Sequence, residues 1–325
     1  MNKDTKYLQF PLLLLRKIFT DRDRMISDIF NVGICRYSET LQYSNEDAAK
    51  QLIYDYYRNK DSLTNEMIKE VEKQIRSGNL SVDEGIAGFT EEGFDPSCEK
   101  LDLITIFDQN HVLAENAMIH LQIHRASYFL GISSTIPHLQ RYSSYQKIMQ
   151  SVPKGEPFPM VNKTLLFKLR DETQTEYDLA QFAAYIGIRS ILGKSSYKHT
   201  NKDMIIARMF GYIDHKHLHE SKQNPIIKPL IEKYLLRYWK DKLLVDMGIN
   251  WKIYIYGGSG GKNNTNNMVI GDPKKIALKS MIEAAENKKR QRKIDKLKRA
   301  QQEALDTVLQ QLNKEKSPYK EKRDF

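Results

Sequence analysis

The chain has 325 residues, 28% charged and 40% hydrophobic, a composition that suits a soluble globular protein with room for two or three domains. No stretch approaches the roughly 20 apolar residues of a membrane-crossing helix, because the run Leu12–Leu15 is cut by Arg16 and Lys17. The net charge of +10 is uneven: residues 1–159 carry 18 Lys/Arg against 22 Asp/Glu, residues 160–273 carry 17 against 11, and residues 274–325 carry 16 against 8, so an anionic partner is expected for the C-terminal half.

In chain order, "YLQFP" reads as a short strand and leads into an apolar segment from Leu12 to Phe19. Asn45 to Tyr57 forms a capped helix. Thr64 caps a second one to Arg76, with Met67, Ile68, Val71 and Ile75 along it and Gly78 past its end. Glu84 to Glu99, rich in glycine, proline and acids, reads as a loop. A longer helix spans His111 to Phe129. It sets His120 and His124 four apart, but Leu121 stands where a zinc protease needs its glutamate, so ordinary hydrogen-bonded histidines are expected. "VPKGEPFP", residues 152–159, holds three prolines and a glycine and marks a domain boundary.

Past that boundary Thr164 to Leu169 reads as a short strand. Glu176 to Leu192 is a helix with Leu179, Phe182, Ala183 and Ile186 at helical spacing and Gly193 as its stop. Thr200 or Asn201 caps a second helix, with Met204, Ile205 and Met209 facing inward and Gly211 ending it. Pro225 or Pro229 opens a third, which runs to Met247. On it Lys233, Arg237 and Lys240 share one face, opposite a broad apolar side that includes Leu230, Tyr234 and Leu235.

"WKIYIYGGSGGKNNTNNMVIGD", residues 251–272, looks like a phosphate cradle but lacks its spacing. A P-loop ending at Gly261-Lys262 would need glycine where Tyr256 stands and a hydroxyl where Asn263 stands. The dinucleotide fingerprint fails too, since Asn263 replaces its third glycine. Alternating Trp251, Ile253 and Ile255 then Met268–Ile270 give a hairpin with a long Gly/Asn tip instead. From Pro273 onward a long helix to about Asn313 carries eight Lys/Arg between Lys288 and Arg299, then a seam of Leu305, Val308, Leu309 and Leu312.

Three helices followed by a two-stranded hairpin resemble the winged helix-turn-helix family over residues 160–272, and among its members plasmid replication initiators more than small repressors. The turn before the third helix is longer than in a tight helix-turn-helix. The resemblance implies that the third helix enters the major groove and the hairpin, as a wing, lies along adjacent backbone. The expected fold is then mainly α (α+β): a helical domain over 1–151 that docks a protein partner, a winged-helix domain over 160–272, and a basic helical tail over 273–325.

The expected partner is double-stranded DNA. Lys233, Arg237 and Lys240 would sit at the groove with Lys228 on the same helix, Lys198 and Lys202 would meet phosphates, and Lys262, Asn263 and Asn264 would grip the flank. Replication initiation or transcriptional control of a bacterial chromosome or mobile element is the expected role, with a homodimer through the C-terminal helix. The competing class is a scaffold protein whose tail forms a coiled coil or binds RNA.

No cofactor is expected. His215, His217 and His219 alternate in "DHKHLHE", but no fourth ligand is evident, and a polar loop is the plainer reading. A catalytic serine or cysteine arrangement is absent, so no enzyme activity is expected. Cys35 and Cys98 lack CxxC spacing and read as reduced thiols. With no secretory segment at the N-terminus, the expected location is cytoplasmic.

Overall fold

Strand β1 (Tyr7–Gln9) pairs antiparallel with β4 (Met160–Asn162), with buried Leu8 opposite buried Val161. Next in the chain, a 3-10 helix over Leu12–Lys17 buries Leu12, Leu14 and Leu15. The structure, a computed structural model, describes residues 7–58, 62–80, 89–90, 93–94, 102–133, 135–214, 216–217, 228–230, 252–255, 268–272 and 274–316. Its described residues are mainly helical, with small antiparallel sheets, and no helix among them is long and apolar enough to cross a membrane.

The proline-rich stretch 152–159 is stitched to this opening segment. The Leu12 N–H donates to the Pro157 carbonyl (3.0 Å), and the Leu13 N–H donates to the Glu156 carboxylate (2.5 Å). Residues on both sides of 152–159 share one core: Phe10, Ile29 and Leu130 lie in the same cluster as Phe182, Ile205 and Phe210.

Helix α1 (Arg22–Ser38), capped by Asp21, does not show in the sequence pattern. Met25, Ile26, Ile29, Phe30, Val32, Ile34 and Cys35 are buried around much of its circumference, so no single apolar stripe marks it. Next come α2 (Asn45–Arg58) and α3 (Asn65–Arg76), the latter capped by Thr64 as its sequence predicts. Within the segment expected as a loop, β2 (Phe89–Thr90) and β3 (Gly93–Phe94) pair antiparallel. Helices α4 (Asp102–Gln109), α5 (His111–Leu130) and α6 (His138–Gln150) complete this part. Leu52, Met67, Val71, Phe107 and Leu121 form a second, smaller core.

Thr164–Leu169 is helical, which corrects the strand expected there. It lies within α7 (Lys163–Asp171). The Asn162 side chain accepts from the Thr164 N–H (2.9 Å), and Leu166 and Leu169 are buried three apart, while Lys168 and Arg170 stay exposed. Helix α8 (Glu176–Leu192) starts with a reciprocal capping box between Thr175 and Asp178. After β5 (Tyr197–Thr200), Asn201 caps α9 (Lys202–Met209). Strand β6 (Lys252–Ile255) pairs antiparallel with β7 (Met268–Gly271), as the hairpin pattern predicts, and β5 adds to the other edge of β7 to give the order β5-β7-β6. Helix α10 (Leu278–Lys316) closes the described chain.

Two glycines allow close approach. A Cβ on Gly187 would stand 3.0 Å from the Met209 nitrogen, so α8 and α9 meet backbone to backbone. Gly211 has φ +77°, and a Cβ there would lie 2.8 Å from the Arg16 nitrogen. The Gly211 carbonyl also accepts from Arg16 Nε (3.2 Å), tying the end of α9 to the opening segment.

Buried between α2, α5 and α6 is a polar cluster. His120 Nε2 lies 2.6 Å from Asp55 Oδ2, and the His138 ring centroid is 4.8 Å from that of His120 and 5.7 Å from that of His124. Burial pushes the His138 pKa down to about 3, with the His120, His124 and Arg141 charges adding to the effect. Burial also lowers His124, against the attraction of Asp55. Asp55 would be raised by its burial, but the His120 contact outweighs this and its carboxyl ends below the usual range. Among the described residues no group of three or more His, Cys, Asp and Glu side chains is set to hold a metal ion.

Gly211→Ala should lower unfolding stability by about 2 kcal/mol or more, read as a lower urea midpoint, because strained φ and a steric clash coincide. The histidines give a pH dependence. A folded pKa below the unfolded value of about 6.5 means that the unfolded state binds more protons, so stability falls as pH drops from about 6.5 toward 3. Melting temperature measured over that window should fall less steeply in His138→Leu than in the wild type.

Candidate nucleic-acid interface

The three-stranded sheet presents two different faces. Met268 and Ile270 of β7 join the large core on one side, while Val269, opposite His199 in the β5–β7 register, packs with Met281 and Ala285 of α10 on the other. The turn that delivers α10 to this face is held by Asp272. Its main-chain N–H donates to the Ser196 carbonyl (2.8 Å), one carboxylate oxygen accepts from the Lys274 N–H (3.0 Å), and the other meets Arg189 of α8 at 2.9 Å. Burial alone would raise the Asp272 carboxyl, but the Lys274 amide and Arg189 outweigh it and hold the group below the usual carboxylate range.

Between β5, α9 and α10 lies a cleft of about 380 Å³. Lys198 and His199 come from β5, Asn201 and Arg208 from the start and end of α9, and Lys288 and Arg292 from α10; among the described residues no carboxylate lines it. Lys198 is exposed. The Nε and one terminal nitrogen of Arg208 are buried without a hydrogen-bond partner. Burial pushes the His199 pKa down, and the Lys288 and Arg292 charges push it further. The Lys288 ammonium is lowered by burial and then by Arg292. Arg208 is lowered by burial, with Glu156 and Asp214 opposing. Burial leads all three shifts, and at His199 and Lys288 the neighbouring cations add to it; the cationic side chains gathered in the lining suit an anion.

Beyond Ala285 the helix leaves the body. Residues 290–313 are all exposed, which at 1.5 Å per residue is a projection of ~36 Å. The basic run Lys288–Arg299 therefore starts inside the cleft and continues along the free helix. Ile294, Leu297, Leu305, Val308, Leu309 and Leu312 remain exposed on that projection.

Of the residues singled out from the sequence, Lys198 lies in the cleft, and Lys202 is the first residue of α9 beside it. Lys228 is exposed within the described residues 228–230. Lys233, Arg237, Lys240, Lys262, Asn263 and Asn264 lie outside the described residues, as does most of the segment expected to form the third helix. His217 meets Asp214 through Nδ1 at 2.8 Å, while His215 and His219 lie outside the described residues. His199 and Arg208 carry no motif and become visible only through the packing of β5 and α9. Lys288 and Arg292 have a sequence signal, the basic run, but nothing in it points to β5.

Compared with known proteins, the chain matches no protein-family model, no curated protein and no solved structure.

Asp272 should control the seating of α10. Asp272→Ala removes the anchor and leaves Arg189 without that partner, so amide exchange at Met281–Ala285 should accelerate at least tenfold, with about 1–2 kcal/mol lost from unfolding stability after allowing for the partial exposure of Arg189.

Proposed function

We propose that the chain is a DNA-binding protein built on a winged helix, acting in replication initiation or transcriptional regulation of a bacterial chromosome or mobile element. The clustering of Lys198, Arg208, Lys288 and Arg292 in one cleft, with no carboxylate among its described lining residues, carries the reading. Duplex DNA offers a dense row of phosphates, and a cluster of cations gains affinity by releasing the counterions condensed on it.

Chain order adds support. A helix (α8), an edge strand (β5), a second helix (α9) and an antiparallel pair (β6, β7) with strand order β5-β7-β6 suit a winged helix whose third helix and wing tip fall on residues outside those described. In that arrangement the cleft contacts backbone phosphate and the third helix reads base edges, the usual division between positioning and specificity. Lys198 and Lys202 then flank the start of α9, where helix amide groups and the macrodipole also favour an anion.

The projecting half of α10 suits a second role in the same act. Leu305, Val308, Leu309 and Leu312 are exposed at helical spacings of three and four, so two copies could zip together there and extend their basic runs across one duplex. A protein partner at the acidic N-terminal half, and a scaffold protein whose tail binds RNA, are the competing class.

Duplex binding measured by fluorescence anisotropy across a salt series tests the proposal. Lys288→Gln with Arg292→Gln should weaken binding at least tenfold and flatten the slope of log affinity against log salt by about 2, one unit per phosphate contact removed. An unchanged slope with native circular dichroism would sink it, and tighter binding to single-stranded RNA than to duplex DNA would favour the competing class.

A further inference from the structure

A second cationic site lies in a different part of the molecule, between α1 and the loop that joins α5 to α6. Arg141 of α6 is only 4% exposed, yet among the described residues no side chain or carbonyl accepts a hydrogen bond from its guanidinium, and its Nε is fully buried. Its backbone is fixed. The Arg141 N–H donates to the Pro137 carbonyl (2.9 Å), and its own carbonyl accepts from Asn31 Nδ2 (3.1 Å). Among the described residues two ionisable groups interact with Arg141 and neither is a counter-charge: burial pushes the Cys35 thiol up to about 12, so that it is neutral, and lowers His138, to which the Arg141 charge adds.

A buried guanidinium without a counter-charge costs several kcal/mol, and truncated or unpaired ions in protein interiors are among the most destabilising features known. Arg141 faces a cavity of about 430 Å³ whose other lining groups include Ser27, Asn31, Ser133, Thr135 and Arg170. Arg170 stacks over Phe167 at 4.9 Å and pairs with Asp171 at the surface. Among the described lining residues the one carboxylate, Asp23, is engaged by Arg22 at 2.8 Å. Two guanidinium groups and three hydroxyls thus surround a space larger than a bare phosphate, with Phe30 and Ile136 as apolar wall.

We propose that this cavity binds a small metabolite through an anionic oxygen head, a phosphoryl or carboxylate group, with Arg141 as its main anchor and Arg170 and the Ser133 and Thr135 hydroxyls as further donors. A guanidinium presents a planar fork that matches either head bidentately. Ser27 and Asn31 lie on α1, and Ser133 and Thr135 come directly after α5, so a bound anion would bridge these elements. The site stands independently of the DNA-binding proposal, because none of its residues lines the cleft of Lys198 and Lys288.

Thermal unfolding of the full chain tests it, with inorganic phosphate, acetate and chloride compared at one ionic strength. Phosphate or acetate should raise the melting temperature saturably, by roughly 2 °C at tenfold excess over its dissociation constant, while chloride should not. The stronger of the two identifies the head group. Arg141→Met keeps most of the side-chain volume without the charge. It should abolish the shift and leave the ligand-free protein at least as stable as the wild type. Lys288→Gln with Arg292→Gln should keep the shift, which separates the cavity from the cleft. If Arg141→Met does not fold, Arg170→Met should still reduce the shift by half or more. The same shift in all variants, or no difference between chloride and the oxyanions with wild-type protein, overturns the proposal.

Discussion

Residues 7–18 run through the large core, and their backbone groups are satisfied from several directions at once. β1 pairs with β4, the Leu12 and Leu13 amides reach Pro157 and the Glu156 carboxylate, and Arg16 reaches the Gly211 carbonyl. Buried backbone donors without partners are costly, so a segment this deep persists only where such partners are supplied. Glu156 shows how tightly the site is built: burial raises its carboxyl, and the Leu13 amide, Arg16 and Arg208 pull it back. Because those partners belong to the chain near 156–159 and to the end of α9, placing the opening segment also places α8 and α9, which frame the cleft.

A second constraint acts downstream. α8 and α9 can approach closely because Gly187 lacks a side chain at their crossing, and Arg189, less than one turn later on α8, then reaches Asp272. That contact turns the chain from β7 into α10, sets the first turns of α10 on Val269 of β7, and brings Lys288 and Arg292 beside β5. The cleft is thus assembled by pairs of residues that lie far apart in the chain: Lys198 and Lys288 meet only because β5 pairs with β7 and Asp272 redirects the backbone beyond it.

That dependence explains what the sequence could and could not reveal. Thr64, Thr175, Asn201, Gly78 and Gly193 act within one helical turn of where they stand, and the helices they bound are legible from local chemistry. α1 is not, since buried residues lie around much of its circumference and its exposed polar residues, Asp23, Arg24 and Ser27, are confined to its first turns. "TLLFKL" resembles a strand because a short apolar run fits either state; Asn162 as cap and the spacing of Leu166 and Leu169 decide for helix. β5, four residues of "YKHT", has no apolar alternation to mark it and stands as an edge strand on the hydrogen bonds that β7 offers it. Lys198 can be singled out as a cation but not as one wall of a cleft, and Arg208 not at all, because charge clustering across 90 residues is a property of topology.

The physical state of the cleft bears on how it would work. Burial first, and then the Lys288 and Arg292 charges, hold His199 toward its neutral form, and Lys288 is lowered by burial and by Arg292. A polyanion that entered would relieve the repulsion among the lysine and arginine side chains and reverse the field at His199. Its imidazole would then gain affinity for a proton as the phosphate arrives, and by linkage a lower pH would strengthen the complex. The histidines around Asp55 respond in the opposite sense, because protonating His124 or His138 adds charge to a buried cluster that already resists it. Acidification would therefore weaken the packing of α2 against α5 and α6, whereas with the proposed anion bound it would strengthen the complex at the cleft.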